Sequence, residues 1–273
     1  MPELPELEVV RTRFGPRLEG RRIEAVEVNP RKGFLLRSPL PVFTSELAGR
    51  EIVRTSRRGK HLVWECCAHG ESKFLVINPM LGGRFQMAAA GAKRLAVTIF
   101  SLLLDGGEEL RYLDYKDMGR VYWVADLEKE VPAWAELGPE ADALPELGLD
   151  WFRKRLKRHR AAIKDVLRDQ AFLSGIGNAY SDEILWEAKL LPLRKRSSLS
   201  AEDESALFEA IPKVLNDAVE AIRNQPDYVE NKQDRSFMAI HQRGGQPCPR
   251  CGHRISQLGG EREPMNFCRG CQL

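Results

Sequence analysis

The sequence predicts a multidomain α+β protein, and three observations carry that prediction. Short apolar or alternating runs fill residues 22–124, a helical period takes over after Trp151, and four cysteines close the chain as two C-x2-C pairs. A length of 273 residues suits one large or two modest domains. With 43% apolar and 30% charged residues and no long apolar run, the composition excludes a disordered chain and a membrane span. The opening MPELPELEVV lacks the basic and apolar stretches of a secretory signal, and two C-x2-C pairs favour metal over cystine. A reducing cytoplasm is the expected compartment.

In chain order, Pro5 sits where a first helical turn tolerates it. Leu7, Val10 and Phe14 recur at helical spacing until Gly15 and Pro16, so a short N-terminal helix is expected there. IEAVEVN, KHLVWEC, KFLVIN, LAVTIFSLLL and RVYWV read as strands, with Asp105, Gly106 and Gly107 as a hairpin turn. Cys66 and Cys67 fall in one of these runs as ordinary core and surface residues. Three prolines among acidic and small residues mark 131–150 as a linker. Ser200 caps a helix whose Leu207, Ile211, Val214, Leu215, Ala218 and Ile222 share a face, with a kink expected at Pro212. The expected division is 1–130, a linker over 131–150, 151–235 and 236–273.

The net charge of +3 says little, because 42 basic and 39 acidic residues nearly cancel. Placement says more. Arg153, Lys154, Arg155, Lys157, Arg158, Arg160, Lys164 and Arg168 stand against Asp165 alone, and six arginines follow from Arg235 onward. One such cluster reads equally well as a solvated helix face. Two of them, one beside a cysteine array, point to a phosphate backbone.

Cys248, Cys251, Cys268 and Cys271, with sixteen residues between the pairs, offer four thiolates to one ion. That completes a tetrahedral zinc shell with no open position, so a single structural Zn2+ is expected, in a ribbon whose interior forms a small hairpin. Pro2 alone would mean only that the initiator methionine is removed. Beside Glu3 and Glu6 it means more. A free prolyl α-amine titrates near 8, roughly, far below lysine, and can act as a nucleophile. Attack on a sugar C1′ gives an iminium, an electron sink for eliminating phosphate. One carboxylic acid can protonate the departing sugar oxygen while a second steadies the cation. Gly175 and Gly177 allow a tight turn between two helices, and Asn178 can bind an anion at the next helix start, with Lys164 on the helix before it.

MPELPE, DQAFLSGIGNAYSDEILW and C-x2-C-x16-C-x2-C occur in that order along the chain. Together they resemble the formamidopyrimidine-DNA glycosylase and endonuclease VIII family of bifunctional base-excision repair enzymes, and the resemblance covers essentially the whole chain. It implies an N-terminal β-sandwich catalytic domain preceded by a helix, a helical domain with a helix-two-turn-helix motif, and a C-terminal zinc ribbon. It also implies a monomeric bacterial enzyme of the cytoplasm that acts at the nucleoid on double-stranded DNA containing damaged bases or abasic sites, with DNA in the cleft between its domains. By the same resemblance Pro2 is the Schiff-base nucleophile, Glu3 the acid that assists sugar opening, and Glu6 a supporting carboxylate. Lys60 is a phosphate-binding lysine on a strand, and Lys164 and Asn178 are phosphate contacts. The zinc-ribbon arginine of the family falls on Glu263 here, which leaves Arg262 as the candidate.

Met80 matches the methionine with which the formamidopyrimidine branch fills the gap left by a flipped base. Where that branch carries an arginine and a phenylalanine, this chain has Lys116 and Met118. Lys116 keeps a charge, offset by neighbouring Asp117, but loses the planar fork that reads an orphaned cytosine. The expected activity is therefore a DNA glycosylase and AP lyase working by β/δ-elimination on the 8-oxoguanine and formamidopyrimidine class. Alternatives are the same chemistry on oxidised pyrimidines, a catalytically inactive damaged-DNA-binding protein, or a zinc-ribbon interaction protein.

Overall fold

The computed structural model describes residues 1–225, 234–260 and 264–273. The chain divides into two compact units, one of Met1–Ala135 with a return at Gln225, the other of Glu136–Asn224 and Asp234–Leu273. Among the described residues no helix is long and apolar enough to cross a membrane.

The first unit opens with α1 (Leu4–Leu18), which buries Leu4, Leu7, Val10, Phe14 and Leu18. Gly15 and Pro16 do not end it: Pro16 lies inside the helix, where burial of Phe14 and Leu18 on either side outweighs one missing N–H. There follow β1 (Ile23–Val28), α2 (Leu40–Leu47), β2 (Glu51–Arg58), β3 (His61–Ala68), β4 (Glu71–Asn78), β5 (Gly83–Ala89), β6 (Thr98–Leu104), β7 (Glu108–Asp114), β8 (Arg120–Val124) and α3 (Leu127–Glu130). The strands make two four-stranded antiparallel sheets, ordered β1-β6-β7-β5 and β2-β3-β4-β8. Their inner faces meet through aromatic rings: Trp64 of β3 lies 5.6 Å from Phe85 of β5, which lies 5.3 Å from Tyr112 of β7. This is the expected β-sandwich, with α1 laid against β2 and β3. Gly106 and Gly107 take the left-handed conformation between β6 and β7, as the hairpin requires.

In the second unit, residues 136–150 are more than a linker. They carry a 3-10 turn (Ala141–Ala143) and α4 (Leu144–Leu147), and bury Ala141 and Leu144. Then come α5 (Leu149–Leu156), α6 (Ile163–Arg168), α7 (Asn178–Glu187) and α8 (Ala201–Arg223). Ser200 Oγ accepts from the Asp203 N–H while the Asp203 carboxylate accepts from the Ser200 N–H, a reciprocal cap. Pro212 sits within α8 without interrupting it. The antiparallel pair β9 (Ser256–Leu258) and β10 (Met265–Phe267) forms the ribbon hairpin.

The strand β7 was not legible as a strand because the face opposite Tyr112 carries buried charge. Glu109 and Arg111 are buried, and the Glu109 carboxylate accepts from Arg111 at 2.8 Å and Arg94 at 2.7 Å. Burial by itself would raise the Glu109 pKa, but these two guanidinium groups hold it at about 2. Its folded value thus lies below the ordinary glutamate value of about 4.3, so the pair stabilises the fold above that pH and the gain is lost as pH falls toward 2. Urea unfolding between pH 6 and pH 3 should show stability falling with acidification. Glu109→Gln should be less stable at pH 6 and show a flatter acid limb; an equally steep limb in that variant would contradict the assignment.

Candidate functional site

In the first unit the site begins where α1 begins. Glu3 is the N-cap in extended conformation, and its N–H donates to Glu6 Oε2 at 2.9 Å, so a capping box pins the backbone immediately after Pro2. Pro2 is buried, and Glu3 and Glu6 are each only 2% exposed. In the chain with Met1 in place the Pro2 nitrogen is an amide, so Met1 must be removed to free the amine.

Lys60 does not lie on a strand. It is the second residue of the two-residue turn, Gly59 and Lys60, that joins β2 to β3. Two residues that motif reading passed over hold this turn against α1. Arg57 donates from Nη1 to the Gly59 carbonyl at 3.3 Å and from Nε to Glu8 Oε2 at 3.4 Å, and Glu8 also receives Arg11 at 2.5 Å. Burial would raise the Glu8 pKa; Arg11 and Arg57 overcome it and keep the carboxyl below its ordinary range. One helix thus begins two residues after Pro2 and anchors the Lys60 turn from its second turn. The signal was present in the charges of PELPELE and RRGK, though only the fold shows that they meet.

Met80, Lys116 and Met118 come together on two loops, β4–β5 and β7–β8. Met80 is half-buried in left-handed conformation, its N–H donating to Asn78 Oδ1 at 3.1 Å, and Asn78 contacts His61, next to Lys60, at 3.3 Å. The second loop is built on Asp114, a fully buried carboxylate that accepts from the N–H groups of Lys116 (2.8 Å), Met118 (3.0 Å) and Gly119 (2.6 Å). The loops touch backbone to backbone, with the Tyr115 N–H on the Gly82 carbonyl at 3.1 Å. A Cβ on Gly82 would lie 2.2 Å from Asp114 Oδ1, so only glycine permits that approach. Lys116 and Met118 are exposed. The Asp117 carboxylate, expected to offset Lys116, is paired with Lys32.

In the second unit α6 and α7 are joined by the expected glycine turn. Gly175 takes φ +102°, whereas Gly177 is extended and serves as N-cap of α7. Gln170 laces the turn, donating to the Ile176 carbonyl at 2.7 Å and accepting from the Gly175 N–H at 3.0 Å. Asn178 opens α7, and its Nδ2 donates to the Pro264 carbonyl at 2.9 Å, which joins the turn to the ribbon.

Lys164, expected as a phosphate contact, is sealed inside this unit. It is 1% exposed and its ammonium is paired with Asp182, itself 1% exposed. The Asp182 carboxylate also meets His241 Nδ1 at 2.8 Å and the Asn266 N–H at 3.2 Å. Lys164 therefore positions α7 and the ribbon. The basic run is divided in the same way: Arg153 pairs with Glu204 and Arg155 donates to the Phe172 carbonyl, whereas Lys154, Lys157, Arg158 and Arg160 are exposed. Arg262 lies outside the described residues.

Cys248, Cys251, Cys268 and Cys271 form one cluster in which all four sulfurs lie within 4.8 Å of one another. They could hold a metal ion. Trp186 of α7 donates its indole N–H to Cys248 Sγ at 3.4 Å, and Arg250 stacks 3.9 Å over the same ring while donating to the Trp186 carbonyl. Burial alone would raise the Cys248 thiol pKa, but the Trp186 and backbone N–H groups lower it to about 6. Cys271 is pushed up to about 12 by burial and by its sulfur neighbours. Four thiolates so close together are in electrostatic conflict, which a divalent cation would remove.

Residues 1–121 match the formamidopyrimidine-DNA glycosylase N-terminal domain, and residues 137–226 match the formamidopyrimidine-DNA glycosylase H2TH domain. Over its full length and the full length of each relative, the chain is 34% identical to the formamidopyrimidine-DNA glycosylase of Heliobacterium modesticaldum and 33% identical to that of Geobacter sulfurreducens. Among solved structures, MutM in complex with DNA containing carbocyclic 8-oxo-G matches with TM-score 0.86 and 25% identity, covering all of both chains. The Lactococcus lactis enzyme matches with 26% identity over 99% of both chains, at TM-score 0.87 with abasic-site DNA and 0.86 with Fapy-dG DNA.

Asp182→Ala should leave the Lys164 ammonium buried without that carboxylate, at a cost of about 3–5 kcal/mol. Urea unfolding should show that loss, and limited proteolysis should cut the ribbon segment more readily than in the wild type. A variant within about 1 kcal/mol of the wild type would show that Asp182 is not the organising contact.

Proposed function

Because the chain belongs to the formamidopyrimidine-DNA glycosylase family, we propose that it is a base-excision repair DNA glycosylase with AP lyase activity that works through an N-terminal proline. The observation that carries this reading is the capped, buried start of α1, with Pro2 beside two inaccessible carboxylates. After Met1 is removed, the Pro2 amine attacks C1′ of the damaged nucleotide. The N–C1′ bond forms as the bond from C1′ to the base breaks, and the base leaves with a proton. Glu3 protonates the ring oxygen as the sugar opens, and Glu6, which holds the Glu3 amide, keeps the geometry and stabilises the cation. The iminium then accepts the electron pair released when a C2′ proton is lost, and the C3′–O bond breaks to expel phosphate. A second elimination expels the 5′ phosphate.

Lys60 and Asn178 are assigned to phosphates of the bound duplex, with Lys154, Lys157, Arg158 and Arg160 as exposed cations available to the backbone. The solved complexes of relatives with 8-oxo-G and Fapy-dG DNA support oxidised purines as the lesion class. Lys116 gives a rotatable charge where a planar fork would read cytosine, so opposite-base discrimination is weak.

The metal is zinc. A tetrahedral thiolate shell with Zn–S near 2.3 Å places sulfurs about 3.8 Å apart; the pairs Cys248–Cys271 and Cys251–Cys268 stand at 3.8 and 3.4 Å. Bound there, zinc holds the ribbon folded and takes no part in the chemistry, because four thiolates leave no site for water.

Borohydride trapping on abasic DNA, followed by peptide mapping, should place the adduct on Pro2, and a tag retained upstream should abolish trapping. Equal trapping by the tagged protein would exclude the amine. Metal analysis should give about one zinc per chain. Cys268→Ser should lose zinc and duplex affinity together; full DNA binding by a zinc-free protein would contradict the assigned role of the ribbon.

A further inference from the structure

The loops that carry Met80 and Met118 also present an aromatic ring that neither the motif reading nor the chemistry uses. Tyr115 is 52% exposed, beside Met118 at 42% and Leu81 at 51%. The two loops touch, so they carry three exposed apolar groups on neighbouring segments, a surface open to a binding partner. The ring stands on a rigid base. Its own N–H donates to the Gly82 carbonyl, the preceding residue is the buried Asp114, and the Asp114 carboxylate holds the next residues through the Lys116, Met118 and Gly119 N–H groups. Gly82 and Gly119 each leave no room for a Cβ against Asp114, so the loop has little freedom to collapse over the ring.

We propose that Tyr115 stacks on a base of the duplex at the lesion and supplies the π-face that Met80 and Met118 lack. This rests on the glycosylase reading above and names a residue that sets how the vacated helix is held. Thioethers fill an irregular gap, but only weakly oriented contacts hold them there. A tyrosine ring has few rotatable bonds and loses little entropy on stacking. Every base has a π-face, so the contact should contribute nearly equally whatever base stands opposite the lesion. Base-edge reading by Lys116 would instead depend on that base. The two contributions are therefore separable by experiment.

The test uses the full-length, zinc-loaded protein and duplexes with a tetrahydrofuran abasic analogue placed opposite each of the four bases, or opposite 2-aminopurine. Tyr115→Ala should weaken binding about tenfold, roughly 1.4 kcal/mol, by a similar factor for all four opposite bases. Bound 2-aminopurine should be brighter than in the wild-type complex, because an aromatic ring that quenched it is gone. Tyr115→Phe should match the wild type in both readouts, and Tyr115→Leu, apolar but without a π-face, should behave like Tyr115→Ala and guards against a folding defect in any one variant. Unchanged affinity and fluorescence in Tyr115→Ala would overturn the proposal, as would a loss confined to one opposite base. A wild-type protein that binds no abasic duplex would overturn the proposal and the glycosylase reading together, whereas trapping by the wild type with no effect of Tyr115→Ala would overturn the proposal alone.

Discussion

A chain terminus frays unless something holds it, and here the Glu3 N–H bond to the Glu6 carboxylate does so. The 2.9 Å contact fixes the residue after Pro2 and satisfies a donor that the first helical turn would otherwise leave open. Because Leu4, Leu7, Val10 and Phe14 are buried along the same helix, the start of the chain inherits the rigidity of the sandwich. The arrangement gives a fixed position to what is the most mobile group of an ordinary protein. It also explains why two carboxylates can be so inaccessible near the start of the chain: one is a helix cap and the other closes the cap, and both face the positive end of the α1 dipole.

The same device recurs wherever a functional loop needs a fixed shape. Asp114 organises the 115–119 loop through three N–H groups, and Glu183 of α7 accepts from the N–H groups of Ala239, Ile240 and His241 at 2.8, 2.9 and 2.8 Å. Burial still raises the Glu183 pKa despite those bonds, which shows how strong desolvation is at that point. Asp182 differs in collecting a cation, an imidazole and an amide rather than three amides. Since Asp182 and Glu183 are adjacent on α7 and Trp186 lies one turn further on, a single helix carries the partners of the ribbon strand, the ribbon approach and a thiolate of the cluster.

Much of this was legible in the sequence because it follows from local chemistry. The cysteine spacing, the helix with Pro5 in its first turn, the Gly106 and Gly107 hairpin and the Ser200 cap each depend on residues close in the chain. The features that were not legible are those in which charge is buried. β7 reads as polar because Glu109 and Arg111 neutralise one another only after β6 and β7 pair and the 92–94 segment folds over them. The burial of Lys164 was hidden for the same reason: nothing in IKDVLRDQ reveals that an aspartate eighteen residues on will take the ammonium. Arg57 and Glu8 belong to this class as well, forty-nine residues apart and joined only by the packing of α1 on β2.

A motif therefore states which residue types a family keeps together, while burial decides what each one does. Lys60 and Lys164 show this within one chain. Both stand in basic segments and both resemble phosphate contacts, yet one lies on a hairpin turn with part of its surface open and the other is sealed against a carboxylate. A buried ammonium cannot reach a phosphate without giving up its aspartate, a loss of about 3–5 kcal/mol that a single surface contact worth about 1 kcal/mol would not repay. The balance runs the other way on the β4–β5 and β7–β8 loops. There the anchors Asp114, Gly82 and Gly119 are buried and fixed, so the exposed positions 115, 116 and 118 can change chemistry without disturbing the scaffold. A rigid base is thereby separated from an exposed tip, the arrangement in which side-chain chemistry at the tip can vary while the loop keeps its shape.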